Sequence, residues 1–300
     1  MGAGASSILW PDGEECNAPG LGDLPEACVA SVLMHLDPPE ICRLARLNRA
    51  FQGAASADFV WESKLPNNYG YLLEKIASEE EAEQKNRAGG KRLGKKEIYA
   101  MLCRPNPFDG GNKIFWLNKY KGGICMPISS KALYITGIDD RRYWNHIPTD
   151  ESRFHTVAYL QQTWWFEVDG EIEFCFPPGT YSLFFRLHLG RPCKRLGRRV
   201  CNSEHVHGWE IKPVQFQLAT STGLGTQRQC FLEEPGSWVH YEVGDFVVES
   251  SAVPTRIKFS MMQIDCTHTK GGLCVDSAVI YPHGVRPERV SVDSRFRKTL

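Results

Sequence analysis

Apolar residues recur on helical spacing over residues 22–66 and on alternating spacing beyond Phe108, so a small helical segment precedes a much longer strand-patterned body. Asp23 and Glu26 have capping-box spacing around Pro25 and predict a first helix, along which Val29, Val32, Leu33 and Leu36 form one apolar stripe at i, i+3, i+4 and i+7. Asp37 and Glu40 repeat the spacing with Pro38 between them and predict a second helix carrying Ile41, Leu44, Ala45 and Leu47 inward. Gly53 reads as a break, after which Phe59, Val60 and Trp61 lead to Leu65 and Pro66 in a third short helix. A segment this small cannot bury much apolar surface, so its stability is expected to be shared with another protein.

From Asn67 to about Arg104 the chain turns charged, with Glu79 to Glu83 followed by Lys85, Arg87, Lys91, Arg92, Lys95 and Lys96; it reads as a solvated spacer ending in a short helix at Glu97 to Cys103. Farther on, Tyr181, Leu183, Phe185, Leu187 and Leu189 alternate with Ser182, Arg186 and His188, which predicts a strand with one mainly buried face. Similar runs end in Ile172 to Phe176, Val214 to Leu218, Val239 to Val243, Ile257 to Met261 and Ala278 to Tyr281. Trp164, Phe166 and Val168 also alternate, and Asp169-Gly170 reads as a hairpin turn whose three-residue loop pairs Val168 with Ile172. Many short strands without βα alternation point to an antiparallel sandwich or jelly roll.

Lysine plus arginine and aspartate plus glutamate each number 35, so no field over the whole molecule favours nucleic acid or anionic membrane. The eleven cysteines are odd in number, and MGAGASSILW lacks the features of a signal peptide, so reduced thiols in cytoplasm or nucleus are expected. No apolar run approaches the roughly 20 residues that cross a bilayer. Met1, Gly2 and Ser6 fit the myristoylation pattern, which leaves Gly2 either a lipidation candidate giving a weak tether or part of a flexible tail.

Cys193, Cys201, His205 and His207, like Cys266, His268 and Cys274, lack the short-knuckle spacing of zinc sites, and neither a metal nor a cofactor is expected. Arg191, Lys194, Arg195, Arg198 and Arg199 make a basic loop open to three readings: a phosphate contact, a nuclear import signal or a solvated excursion. Asp139, Asp140, Asp150 and Glu151 near Trp144 would suit a glycan hydrolase only if two carboxylates faced each other across a sugar.

Leu24-Pro25, the Val32-Leu33-Leu36 run, the Asp37-Pro38 helix start, Leu44 and Trp61 together resemble an F-box. The resemblance implies docking on a Skp-type adaptor, and through it on a cullin, with Leu24, Pro25, Val32, Leu33, Leu36 and Leu44 facing the adaptor or supporting the face that does. The run ISSKALYITGIDDRRYWNHIPTDESRF, the Trp164-Trp165 pair, GWEIKPVQFQL and the closing MMQIDCTHTKGGLCVDSAVIYP resemble the phloem-protein-2, or Nictaba-type, lectin domain. With an F-box in front, the chain resembles the plant F-box proteins of the phloem-protein-2 type.

Family lectins recognise N-acetylglucosamine oligomers and N-glycan cores through two tryptophans. Trp144 falls on one of these positions and Gly137 on the other, so Trp144 is either a sugar-stacking platform or a core residue. Tyr143, Asp139 and Asp140 complete the candidate carbohydrate site, the aspartates either accepting from hydroxyls or shaping the turn.

The expected architecture is therefore α+β and multidomain: a tail (1–21), a three-helix F-box (22–66), a charged linker with a short helix (67–108), an antiparallel jelly-roll-like β-sandwich (109–285) and a second tail (286–300). The resemblance implies a non-catalytic substrate-recognition subunit of a Skp–cullin–F-box ubiquitin ligase, presenting a protein or glycoprotein client. A lectin acting independently of ubiquitination is the alternative.

Overall fold

A computed structural model describes residues 24–83, 93–195, 198–221, 223 and 225–285. Asp23, the Gly2 lipidation pattern, most of the basic stretch after Glu83 and the C-terminal tail lie outside these residues. The chain divides into two compact units, one up to Ser63 and one from Lys64.

The first unit holds four helices where three are expected: α1 (Glu26–Leu33), α2 (Pro38–Leu44), α3 (Arg49–Ala54) and α4 (Asp58–Glu62). Pro25 is the N-cap residue of α1, and α2 starts with Pro38, its preceding Asp37 N–H donating to Glu40 Oε2 at 3.4 Å. The additional helix is α3, capped by Asn48, whose Oδ1 accepts from Phe51 N at 2.9 Å. Gly53 lies inside α3 instead of breaking the chain. A Cβ built there would come within 2.6 Å of the Glu26 carboxyl, the movable end of an exposed side chain. Val29, Ala30, Leu33, Ile41, Phe51, Val60 and Trp61 are buried, and the Trp61 indole N–H donates to Ala55 O at 2.7 Å.

The second unit opens with α5 (Tyr69–Glu83) and α6 (Lys95–Leu102). Residues 69–83, expected within a solvated spacer, are helical because Leu72 is buried and Tyr71 packs edge-on against Phe174 at 5.3 Å, so two apolar anchors hold an otherwise polar helix on the sandwich.

Two antiparallel sheets follow. The larger has β15 (Lys270–Pro282) at its centre, with β8 (Gly179–Leu189) and then β13 (Trp238–Val248) on one side. On the other side β15 pairs with β6 (Thr156–Thr163) and β5 (Trp144–Pro148) along its first half, and with β3 (Ile124–Ser129), β2 (Lys113–Leu117) and β1 (Asn106–Phe108) along its second. The smaller sheet runs β12 (Gly225–Cys230), β11 (Val214–Thr220), β14 (Thr255–Gln263), β7 (Phe166–Phe174) and β4 (Tyr134–Ile135). A separate ribbon pairs β9 (Arg191–Arg195) with β10 (Arg198–Asn202). The sheets meet through aromatic side chains, with Phe185 lying 6.2 Å from Phe216 and 5.7 Å from Phe259.

No hairpin forms at Asp169-Gly170. Instead β7 runs straight through, pairing with β14 from Phe166 to Phe174 and with β4 at Val168 and Asp169. Phe166, Val168, Gly170, Ile172 and Phe174 all face the core. Gly170 is there for space, since a Cβ would sit 2.3 Å from the Phe259 ring and 2.9 Å from Leu133.

The alternation expected of β8 is present, but its second face is also covered, because Ser182, Arg186 and His188 are buried. Among the described residues no helix is long and apolar enough to cross a membrane, and no group of three or more metal-binding side chains assembles.

Candidate functional site

In the first unit the residues expected to face an adaptor separate into surface and support. Leu24, Pro25 and Val32 are exposed, Val32 at 54%, whereas Leu33 is fully buried and Leu36 and Leu44 are half-buried. Met34, Leu47 and Phe59 are exposed too. Among the described residues of this small unit, Leu24, Pro25, Val32, Met34, Leu47 and Phe59 thus offer exposed apolar side chains that a partner surface could bury. Leu33 is the inward half of the α1 stripe, holding α1 in place while Val32 faces outward.

In the second unit Trp144 is a core residue. It is 2% exposed, stacks on Phe166 at 6.4 Å, and its indole N–H donates to Thr136 O at 3.1 Å. Its place at the start of β5, paired with Leu160 of β6, turns the ring inward, so it presents no face to a sugar. The neighbouring Gly137 has φ +80°, a turn conformation that favours glycine.

Tyr143 and Asp139 remain exposed. Asp140 is engaged by Arg142, whose Nε and Nη2 reach its two oxygens at 3.1 and 2.6 Å, and these bonds hold its carboxyl below the usual range. Asp139, Asp140 and Tyr143 share one loop, but the aromatic platform that would complete the site is absent.

A broad groove lies elsewhere, on the outer face of the smaller sheet. It encloses about 520 Å³ and is lined by Tyr134, Asp169, Glu171, Gln217, Gln227 and Lys258, among others. Strand alternation explains the lining: Asp169 and Glu171 are the outward positions of β7, Lys258 pairs with Glu171 on β14, and Gln217 pairs with Gln227 across β11 and β12. Tyr134 lies opposite Asp169 and is 72% exposed.

Burial, with the nearby Glu167 charge adding to it, pushes the Asp169 carboxyl up, whereas Arg256 holds that of Glu171 down. An exposed ring beside carboxylate, amide and ammonium groups can stack on an apolar face and bond several hydroxyls. Five strands supply these residues, so no local motif announces them; the only signal was Asp169-Gly170, which reads as a turn.

At one end of the same sheet Trp164 and Trp165 are exposed, and the Trp165 indole N–H donates to Glu167 Oε2 at 2.8 Å. Lys270 anchors this corner. Its side chain is 0% exposed and its Nζ donates to Trp164 O at 3.0 Å and Gln263 O at 2.8 Å. Burial pushes its ammonium group down, while Asp265 pulls it back up.

The family model for phloem protein 2 matches residues 123–282. The Arabidopsis thaliana proteins named F-box protein PP2-A13 and F-box protein PP2-A12 are 62% and 61% identical, covering 87% and 90% of this chain and 88% and 90% of their own length. F-box protein PP2-A15 of the same plant is 53% identical over 95% of each chain. Among solved structures, a family 35 carbohydrate-binding module from Clostridium thermocellum matches with TM-score 0.32 at 10% identity, covering 53% of this chain and 98% of that one. TmCBM61 in complex with β-1,4-galactotriose matches with TM-score 0.28 at 14% identity, covering 51% and 90%. Both structural likenesses are too distant to inform this chain's ligand.

Proposed function

The chain belongs to the phloem protein 2 family of plant F-box proteins, and we propose that it is a substrate receptor of a Skp–cullin–F-box ubiquitin ligase. The first unit docks on the Skp-type adaptor, and the β-sandwich holds a client near the ubiquitin-charged enzyme carried elsewhere in the complex. The protein contributes proximity and no bond-making step of its own.

The observation that carries this reading is the outward exposure of Leu24, Pro25 and Val32 over a packed Leu33. Burying these side chains against an adaptor removes apolar surface from water at about 25 cal/mol per Å². The test is co-purification of the full chain with a plant Skp-type adaptor, comparing wild type with the triple variant Leu24→Ala, Pro25→Ala, Val32→Ala. Equal recovery sinks the docking claim. Leu33 is left intact, because truncating a fully buried leucine would unfold the unit and mimic lost docking.

A second reading, a lectin acting without ubiquitination, is favoured by the groove around Tyr134. There Tyr134 stacks on a sugar ring while Asp169, Gln217 and Gln227 bond its hydroxyls. It calls for binding of the full chain to N-acetylglucosamine oligomers on a glycan array, lost in Tyr134→Ala. An array without signal leaves protein recognition as the client-binding mode.

A further inference from the structure

We propose that the groove on the smaller sheet is the client-recognition site, and that it selects an extended peptide segment presenting a lysine or arginine side chain between Tyr134 and Asp169. The inference rests on the receptor reading above and supplies the chemistry of the client.

Strand register sets the groove residues in a single file. Tyr134 of β4 lies opposite Asp169 of β7, Asp169 opposite Ser260 of β14, Ser260 opposite Gln217 of β11, and Gln217 opposite Gln227 of β12. All five line the same concavity. A row that crosses five strands covers four strand spacings of about 4.8 Å, or about 19 Å in all, which is the length of about six extended residues.

Among the described residues no hydrogen bond or ion pair engages the side chains of Asp169, Ser260, Gln217 or Gln227. Ser260 is the clearest case. It is 7% exposed and lines the groove, yet its hydroxyl has no partner among those residues. Hydroxyls buried to that degree are ordinarily bonded, so the middle of the row is set for a polar group from a ligand.

Charge decides what that ligand carries. Glu171, the next outward residue of β7, is matched by Arg256 and lies 4.0 Å from Lys258. Glu167, on the other side, accepts from the Trp165 indole N–H at 2.8 Å and from the Thr136 hydroxyl at 3.3 Å. Asp169 lies between them with no cation paired to it among the described residues, and both burial and the Glu167 charge disfavour its ionised form.

An ammonium or guanidinium group relieves both effects, and the exposed Tyr134 ring opposite Asp169 adds cation–π attraction. Gln217 and Gln227 each carry a donor and an acceptor, which suits the N–H and C=O groups of a peptide laid along the row. A neutral sugar, the ligand of the second reading, leaves the Asp169 charge uncompensated, and a nucleic acid would bring phosphates against it.

The test is fluorescence anisotropy of the full chain with a labelled ten-residue peptide of Ser, Gln and Gly bearing three spaced lysines. The same peptide with N-acetyl-lysine removes the charge, and an N-acetylglucosamine tetramer is the neutral comparison. Binding is expected to be at least about tenfold tighter for the lysine peptide than for the acetylated one, and to weaken as salt rises from about 50 to 200 mM.

Asp169→Asn is expected to cost about tenfold in affinity for the lysine peptide while keeping or raising the melting temperature, because it removes a charge that burial disfavours. That opposition separates a lost site from a lost fold. Tyr134→Ala is expected to cost about fivefold. Glu249→Gln, exposed just past β13 in the larger sheet, is the charge control and should bind as wild type does.

No measurable binding of the lysine peptide, equal affinity for the acetylated one, an unaffected Asp169→Asn, or tighter binding of the tetramer overturns the proposal. Adaptor recovery is scored on the same preparations: lysine selectivity absent with adaptor recovered counts against this site alone, and selectivity present without adaptor recovery counts against the docking reading.

Discussion

Arg186 on β8 and Asp276 on β15 form an ion pair at 2.9 Å with side chains only 6% and 4% exposed. The guanidinium also lies 4.1 Å from the Trp238 ring centroid, and Ser277 Oγ donates to the same aspartate oxygen at 2.8 Å. Among the described residues neither Arg186 Nε nor Asp276 Oδ1 has a hydrogen-bond partner, so the pair is incompletely satisfied within them. Removing one member strands a buried charge. Asp276→Leu or Arg186→Met should each cost about 3–5 kcal/mol, and the double variant Arg186→Met, Asp276→Leu much less than their sum. Urea unfolding followed by tryptophan fluorescence measures this, and additive losses would show that the two charges are not coupled.

Gly170 and Phe259 occupy the same space across β7 and β14. Gly170→Ala should therefore overpack the core and cost about 1–3 kcal/mol. Adding Phe259→Leu should recover part of that loss, because the smaller side chain vacates the position the new methyl needs. A double variant as unstable as the sum of the singles would place the strain elsewhere.

Trp144 and Tyr134 test which surface meets a sugar. Trp144→Ala, deleting a fully buried indole, should cost about 3–5 kcal/mol, whereas Tyr134→Ala should stay within about 0.5 kcal/mol of wild type. Should the glycan array give a signal, only the Tyr134 variant should lose it without losing thermal stability. Full glycan binding by Tyr134→Ala excludes the groove as the sugar site.

Stability should fall as the solution is acidified below about pH 6.5. Burial, with the charge of Arg186 adding to it, holds the imidazole of His240 at about 4, and burial lowers that of His188 as well. Asp276 acts in the opposite direction on His240 but does not prevail. The unfolded chain protonates these rings first, so the stability they contribute is complete above about 6.5 and declines as the pH drops toward 4. For His240 the loss is at most about 3 kcal/mol. Urea midpoints at pH 7 and pH 4.5 give the slope, and His240→Gln should flatten it; an unchanged slope would remove His240 from the account.

Lys270→Met should leave the carbonyls of Trp164 and Gln263 without their donor, at a cost of about 1–3 kcal/mol. Amide exchange in residues 163–166 should quicken. Unaltered exchange there would mean that Lys270 does not anchor the tryptophan corner.

Alternation of apolar and polar residues made β8, β11 and β14 readable, whereas β15, buried along its whole length, shows in the sequence only as the apolar run from Ala278 to Tyr281. What defeated the reading were residues whose role depends on a distant neighbour. Gly53 looks like a helix break and Gly170 like a turn, yet Gly53 lies within α3 and Gly170 is small because the Phe259 ring passes over it. The charges of α5 conceal two anchors, Tyr71 and Leu72, and the alternation of β8 gives no hint that Asp276 would pair with Arg186 on its second face.

The site divides in the same way. The residues proposed for docking in the first unit lie close together in sequence and could be named there, with Leu33 and Val32 distinguished only by the fold. The groove residues come from five strands separated by long intervals, so Tyr134, Gln217 and Lys258 carry no shared sequence signal.

The burial of Lys270 bears on modification by the very machinery the protein is proposed to serve. An ε-amine shielded from solvent and held by two carbonyls is out of reach of an activated ubiquitin. Lysines such as Lys121 and Lys258 stand in solvent and are open to attack while the sandwich is intact. A ubiquitin remnant on Lys270 would instead identify molecules whose β-sheets had already come apart, making that residue an internal record of unfolding ahead of turnover.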